Sequence, residues 1–272
     1  MSVLLHISDT HFGTERAGVV DALVRLAAVE RPQLLVLSGD ITQRARPEQF
    51  AAARRLVERI AAPAALVLPG NHDVPLFDIA ARALRPYGRY ARAFGGNLAP
   101  VHESDDLLVL GVNTTRAYRH KHGEISPAQM QATAARLRAS HGRKLRIVVT
   151  HHPLHVPKSA DERNLVRGYA HAARMWASAG ADLAMGGHIH LPYVRTVAER
   201  VAGLSRPLWV VQAGTAVSHR VRADGGEANS VNFVRYDPVA APGSCVVEQW
   251  DHDAVQDRFR MERRVSLALH RP

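Results

Sequence analysis

ADLAMGGHIH, residues 181–190, decides how the rest of the chain is read. A short apolar run fit for a buried strand ends in two glycines, and two histidines one residue apart follow. One histidine at a strand end is ordinary. Two on glycine-loosened backbone point to something being held, which requires further ligating groups at other strand ends.

The chain alternates short apolar runs with helical stretches. VLLHIS (3–8), QLLVLS (33–38), AALVLP (64–69), LLVLGV (107–112) and LRIVVT (145–150) are runs of strand length. Helical spacing marks 16–30, about 47–60 with Pro47 in the first turn, a segment opening at Ser126-Pro127, and 165–179. The periodicity then turns to strand at 193–198, 208–213, 231–236 and 244–250. This order predicts one α/β domain over 1–272, largely parallel in its first half and antiparallel in its second. Residues 237–272 form C-terminal strands or a tail, and 251–272 either pack as a final strand or reach a neighbouring subunit.

Five of the predicted strands deliver polar groups at their carboxyl ends, where open α/β sheets bind ligands. The groups are Asp9 and His11, then Asp40, then Asn71-His72-Asp73, then His151, then His188 and His190. The set Asp9, His11, Asp40, Asn71, His151, His188 and His190 offers oxygen and nitrogen and no thiolate. That composition suits Mn²⁺, Fe²⁺ or Zn²⁺ and disfavours a cysteine-rich structural zinc site. Seven groups exceed one tetrahedral ion and suit two ions sharing a carboxylate. Paired ions about 3.5–4 Å apart make hydroxide at neutral pH and clamp the attacking and leaving oxygens of an in-line displacement. His6, His102, His141, His252 and His270, among 16 histidines, have no neighbour that suggests chemistry.

D-x-H at Asp9–His11, G-D at 39–40, G-N-H-D at 70–73, H-x-P at 151–153 and G-H-x-H at 187–190 together resemble the calcineurin-like metallophosphoesterases, over residues 3 to about 236. The compact length, the SDTH start and GNHD resemble the class III cyclic-nucleotide phosphodiesterase branch. The resemblance implies a sandwich of two mixed β-sheets flanked by α-helices. It implies that Asp9, His11, Asp40 and His190 hold one ion, and that Asp40 bridges to a second completed by Asn71, His151 and His188. It also implies that His72 hydrogen-bonds the phosphoryl oxygen or protonates the leaving alkoxide. Asp73 either orients His72 or caps the following turn.

The family cleaves diesters, monoesters, nucleic acids and lipid pyrophosphates, so loops must choose the substrate. TTRAYRHKHGE (114–124), LHVPKSADERN (154–164) and AGTAVSHRVR (213–222) can rim the site, with Arg116, Arg220 and Arg222 as candidate substrate contacts. The first reading is hydrolysis of a small phosphodiester such as a 3′,5′-cyclic nucleotide by a metal-bound hydroxide. A formal charge of +10 keeps a DNA or RNA nuclease open as an alternative. IAARALRPYGRYARAF (79–94) places Ile79, Ala83, Tyr87, Ala91 and Phe94 at helical spacing among four arginines. It keeps open a peripheral membrane contact with lipid-linked phosphate as substrate. The N-terminus lacks a basic n-region and no apolar run reaches about 18 residues, so a cytoplasmic location is expected; Cys245, the single cysteine, demands no compartment.

Overall fold

The computed structural model describes residues 1–140, 143–225 and 228–271, and His141 lies outside them. In chain order the strands are β1 (Ser2–Ile7), β2 (Leu34–Leu37), β3 (Ala64–Val67), β4 (Val101–Glu103), β5 (Leu107–Gly111), β6 (Leu145–Val149), β7 (Leu183–Gly186), β8 (Tyr193–Thr196), β9 (Trp209–Gln212), β10 (Ser230–Tyr236), β11 (Ser244–Asp253) and β12 (Arg258–Ala268). The helices are α1 (Ala17–Glu30), α2 (Pro47–Ile60), α3 (Ile79–Leu84), α4 (Gly88–Phe94), α5 (Pro127–Ala139) and α6 (Tyr169–Ser178). One sheet runs β12-β11-β10-β1-β2-β3 and the other β4-β5-β6-β7-β9-β8. Both are mixed and both are flanked by helices, as expected.

The apolar runs are continuous because each central strand is covered on both faces. Alternate residues divide between two cores. Leu5 and Ile7 of β1 with Leu35 and Leu37 of β2 pack against α1 and α2, through Leu23, Phe50 and Leu56. Their neighbours Leu4, Leu34 and Val36 turn the other way and meet Val109, Ile147, Val149 and Met185 of the second sheet. On its far side that sheet packs Leu108, Leu110 and Val148 against Met130 and Leu137 of α5 and Trp176 of α6. Local signals set the helix starts. Pro47 and Pro127 occupy first turns, where a missing N–H costs nothing, and Ser126 and Gln129 close a reciprocal capping box.

One expectation needs correction and two open readings resolve. The 208–213 strand is not part of an antiparallel half: β9 pairs parallel with β7, and only β8 beside it is antiparallel. The 79–94 stripe is not one helix, because the chain breaks between α3 and α4 around Pro86. Ile79 faces solvent, whereas Tyr90, outside the stripe, is the buried residue, packed on Phe50 and donating its hydroxyl to Val67 O at 2.8 Å. The C-terminal segment is a strand: β12 pairs antiparallel with β11, with a bulge at Gln249/Trp250.

The two parallel blocks matter for function. β1, β2 and β3 point their carboxyl ends to the same edge of the sandwich as β6 and β7, so loops from both sheets meet there. Direct contacts between them include His188 N–H to Asp9 Oδ2 at 2.9 Å and His151 Nδ1–H to Ser38 O at 2.9 Å.

Candidate metal centre

Asp40, at the end of β2, reaches both sheets. Its Oδ1 lies 3.2 Å from His151 Nε2 and its Oδ2 lies 3.8 Å from His11 Nε2. On one side, Asp9 Oδ1 is 3.3 Å from His190 Nε2 and 3.8 Å from His11 Nε2, and the two histidine Nε2 atoms are 3.0 Å apart. On the other, His151 Nε2 is 3.3 Å from Asn71 Oδ1, and the His188 ring centre is 5.2 Å from that of His151. All seven sequence candidates are thus brought together.

The backbone that does this is unusual. Asp9, His11, Asp40, His188 and His190 all have positive φ, at 52°, 41°, 46°, 75° and 56°. Such values are uncommon outside glycine, tolerated best by Asn, Asp and His, and concentrated at functional sites. Two glycines allow the loops to touch. A Cβ on Gly187 would collide with Ser8 Oγ and Asp9 Oδ2, and one on Gly70 would collide with the backbone N and Oδ1 of Asp40.

Hydrogen bonds orient the rings. His151 Nδ1–H donates to Ser38 O at 2.9 Å, and His190 Nδ1–H donates to Arg220 O at 2.6 Å. Each bond fixes the tautomer and leaves the Nε2 lone pair facing inward, the arrangement that supports a metal-ligating histidine. Burial opposes a charge on His151, but without a cation Asp40 beside it outweighs burial and pushes its pKa up to about 9, so Nε2 carries a proton that a bound metal would displace. Burial would likewise raise Asp40, but His151 and His72 hold it well below the usual carboxylate range. Burial, with the charges of His152 and His151, drives His188 well below the histidine range, so it is neutral and able to ligate. Its two ring nitrogens and Asp9 Oδ1 are buried without hydrogen-bond partners. Orphaned buried polar atoms are costly, and an ion on each side of Asp40 would satisfy Asp9 Oδ1 and one ring nitrogen of His188. The donor set and its vacant lone pairs therefore fit divalent ions.

Other candidates separate. His72 Nδ1–H donates to Gln43 O at 3.0 Å, which turns Nε2 toward Arg220 Nη1, 3.4 Å away. Asp73 does not orient His72: its carboxylate accepts from Ile41 N, Gly70 N, Thr42 N and Thr42 Oγ1 at 2.8–3.0 Å, tying the two metal-centre loops together. Arg116 does not line the cleft. Its guanidinium donates to Asn113 O, Thr115 O and Gln129 Oε1, bracing the approach to α5. Arg220 and Arg222 do line the cleft of about 490 Å³ over the centre. Arg222 is neutralised by Asp161 at 3.1 Å and Asp224 at 2.6 Å. Arg220 Nη1 is instead 3.0 Å from Gln43 Oε1 and 3.3 Å from His11 Nδ1.

Sequence reasoning missed Gln43 and His152. Gln43 has no motif to betray it. His152, fully buried beside His151, was the variable position of H-x-P, although a second consecutive histidine was a visible signal. His152 groups with His151 and His188, but its two nitrogens are taken by Thr114 Oγ1 at 2.7 Å and Lys121 O at 2.9 Å.

Comparison with known proteins agrees with this geometry. The family model for calcineurin-like phosphoesterases matches residues 2–192. The chain is 33% identical to a cAMP/cGMP dual specificity phosphodiesterase of Mycobacterium tuberculosis, over 69% of the chain and 61% of that protein. It is 28% identical to a probable cyclic nucleotide phosphodiesterase of Rhodococcus erythropolis, over 72% and 67% respectively. A shorter match, 39% identical over 26% of the chain and 29% of the relative, is to a glycerophosphodiester phosphodiesterase of Enterobacter lignolyticus. The chain thus spans between about a third and two thirds of the curated relatives it matches. A dimetal phosphatase of Danio rerio shares the fold, with a TM-score of 0.64 at 13% identity over 99% of both chains. With its model covering more than half of the sequence and all five strand-end motifs gathered around Asp40, the chain belongs to the calcineurin-like phosphoesterase family.

Proposed function

We propose that the protein is a binuclear-metal-dependent phosphodiesterase acting on a small phosphodiester such as a 3′,5′-cyclic nucleotide, with the whole chain serving as one catalytic domain. The observation that carries this reading is Asp40, whose two carboxylate oxygens face histidines of two separate ligand groups. Asp9, His11, Asp40 and His190 would hold one ion, and Asp40, Asn71, His151 and His188 the other. When bound, two divalent ions such as Mn²⁺, Fe²⁺ or Zn²⁺ supply Lewis acidity and a nucleophile at neutral pH.

The chain's own side chains do the rest. Arg220, free of any carboxylate partner among the described residues, binds and orients the anionic phosphoryl group. His72 Nε2 is the ring atom left to meet substrate, since Nδ1 is committed to Gln43 O; it holds a phosphoryl oxygen or passes a proton to the leaving oxygen. The cleft volume falls in the range of small-molecule sites. The three sequence relatives are all phosphodiesterases by name, which favours diester over monoester chemistry.

The net charge of +10 favours a nuclease as a second reading. Against it, no Phe, Tyr or Trp is among the described residues lining the cleft, so a platform for stacking single strands is lacking. No described helix is long and apolar enough to cross a membrane. The test is hydrolysis of 3′,5′-cyclic AMP beside a short single-stranded oligonucleotide, both with Mn²⁺. Ring opening with an intact oligonucleotide supports the small-diester reading, and the reverse pattern replaces it with the nuclease.

A further inference from the structure

Away from the metal centre the cleft carries more positive charge than one phosphodiester neutralises. Lys121, Arg163, Arg220 and Arg222 all line it. Arg222 is taken up by Asp161 and Asp224, whereas Lys121, Arg163 and Arg220 have no carboxylate within 4.0 Å among the described residues. Apart from Asp40, the one carboxylate among the described residues lining the cleft is Asp161, and it is committed to Arg222.

Lys121 and Arg163 come from different loops, yet their backbones are fixed. His152, fully buried, accepts the Thr114 hydroxyl at Nδ1 and donates from Nε2–H to Lys121 O at 2.9 Å. His122 Nδ1–H donates to Arg163 O at 3.0 Å. Arg167 N–H donates to Gly123 O and Ile125 N–H to Arg167 O, both at 3.0 Å, which stitches the two loops side by side. Gly123 packs so closely on the His152 ring that a Cβ there would collide with it. The two cations are therefore held in register with His151, one residue from their anchor, and their long side chains are left exposed toward the cleft.

We propose that Lys121 and Arg163 form a second anion subsite, and that the substrate is a phosphodiester bearing another phosphate group apart from the scissile one. The inference rests on the diesterase reading for the scissile phosphate. The second phosphate is bound and not cleaved, and its contacts position the reacting one. A simple 3′,5′-cyclic nucleotide, with one phosphate, is the minimal substrate of this kind: it fills the metal centre alone and leaves Lys121 and Arg163 unmatched.

The probes are adenosine 5′-monophosphate and adenosine 3′,5′-bisphosphate, titrated calorimetrically into the full chain with Mn²⁺. The wild type should bind the bisphosphate about tenfold tighter, the worth of one or two charge-assisted contacts. In the Lys121→Ala, Arg163→Ala double variant the preference should fall to about twofold, the statistical advantage of two phosphates. Both side chains are exposed, so truncation orphans no buried group, and unchanged thermal unfolding checks the fold. Lys121→Arg should keep the preference. An equal preference in the double variant, or none in the wild type, overturns the subsite. Turnover of bis(4-nitrophenyl) phosphate by the wild type reads the diesterase activity separately, and its failure would remove that reading while leaving the binding ratio as measured.

Discussion

Asp40 and His151 meet across the two sheets, with Oδ1 3.2 Å from Nε2. One stands at the end of β2 and the other at the end of β6, so the contact joins the halves of the sandwich at the point where the two ligand groups meet. The same Oδ1 accepts the backbone N–H of His72 at 2.8 Å. Removing the charge while keeping the shape isolates its electrostatic role. Asp40→Asn should lower bound metal from two ions to one or none and reduce phosphodiester hydrolysis by at least about a hundredfold, in the range of lost metal-site groups. Metal content by elemental analysis together with turnover checks it.

Gly187→Ala tests the close approach that brings His188 and His190 inward. The added Cβ would overlap Ser8 Oγ and Asp9 Oδ2, both in fully buried surroundings that cannot retreat. Overpacking of this kind costs about 1–3 kcal/mol. A chain of this size should lose roughly 2–10 °C in melting temperature and most of its metal affinity. A fully active, equally stable variant would show that the loops have room to spare.

Much of this arrangement was legible in sequence, and the reasons differ by feature. Helix α2 was bounded at both ends by Pro47 and Ile60 because proline and the apolar period agree. The five strand ends were legible because polar clusters interrupt buried runs. β4 was not, being three residues of half-polar sequence that earns its place by pairing with β5. The insertion of β9 beside β7 leaves no local trace, since strand order is decided by long-range packing. Positive φ at Asp9, His11 and Asp40 could not be read either, because loop contacts impose it. Arg116, Arg220 and Arg222 looked alike in sequence. Only their partners, peptide carbonyls for the first and two carboxylates for the last, separate them from Arg220.

That separation has a kinetic consequence. Arg220→Ala should lower kcat/KM for a small diester by about 10–100-fold, the loss of one charge-assisted phosphate contact. Arg116→Ala should leave KM unchanged and cost stability instead, by unbracing Asn113 O and Gln129 Oε1. Steady-state kinetics and thermal melts on the two variants check the pair. Equal kinetic losses from both would contradict the placement of Arg116.

His6 should make stability pH-dependent. It is fully buried, with Nε2 2.9 Å from Ser38 Oγ, and burial outweighs the opposing pull of Asp9 to lower its pKa from 6.5 to about 3. Between those values the unfolded chain binds a proton that the folded chain refuses. Its contribution is therefore fully present above pH 6.5 and declines as pH falls toward about 3, by at most about 1.4 kcal/mol per pH unit. His6→Asn should flatten the acid side of the stability profile. Urea unfolding of wild type and variant at about pH 7 and about pH 5 measures the difference.

Asp73 should behave as a structural residue. Four donors converge on its carboxylate, and Asp73→Ala would strand the Ile41, Gly70 and Thr42 N–H groups in the interior. Unsatisfied buried donors cost about 1–3 kcal/mol each, so the variant should be strongly destabilised. Asp73→Asn should recover part of that loss. A variant that melts normally but has lost leaving-group dependence would return Asp73 to the role of orienting His72.

Metal-dependent diester hydrolysis by the gathered ligands is decided by stripping the full chain with a chelator, restoring Mn²⁺, and following bound metal and bis(4-nitrophenyl) phosphate cleavage together. Activity should vanish on stripping and return in step with two ions per chain, while an Asn71→Ala, His190→Ala double variant stays inactive. Undiminished cleavage without metal, or full cleavage by the double variant, would contradict a binuclear centre built around Asp40.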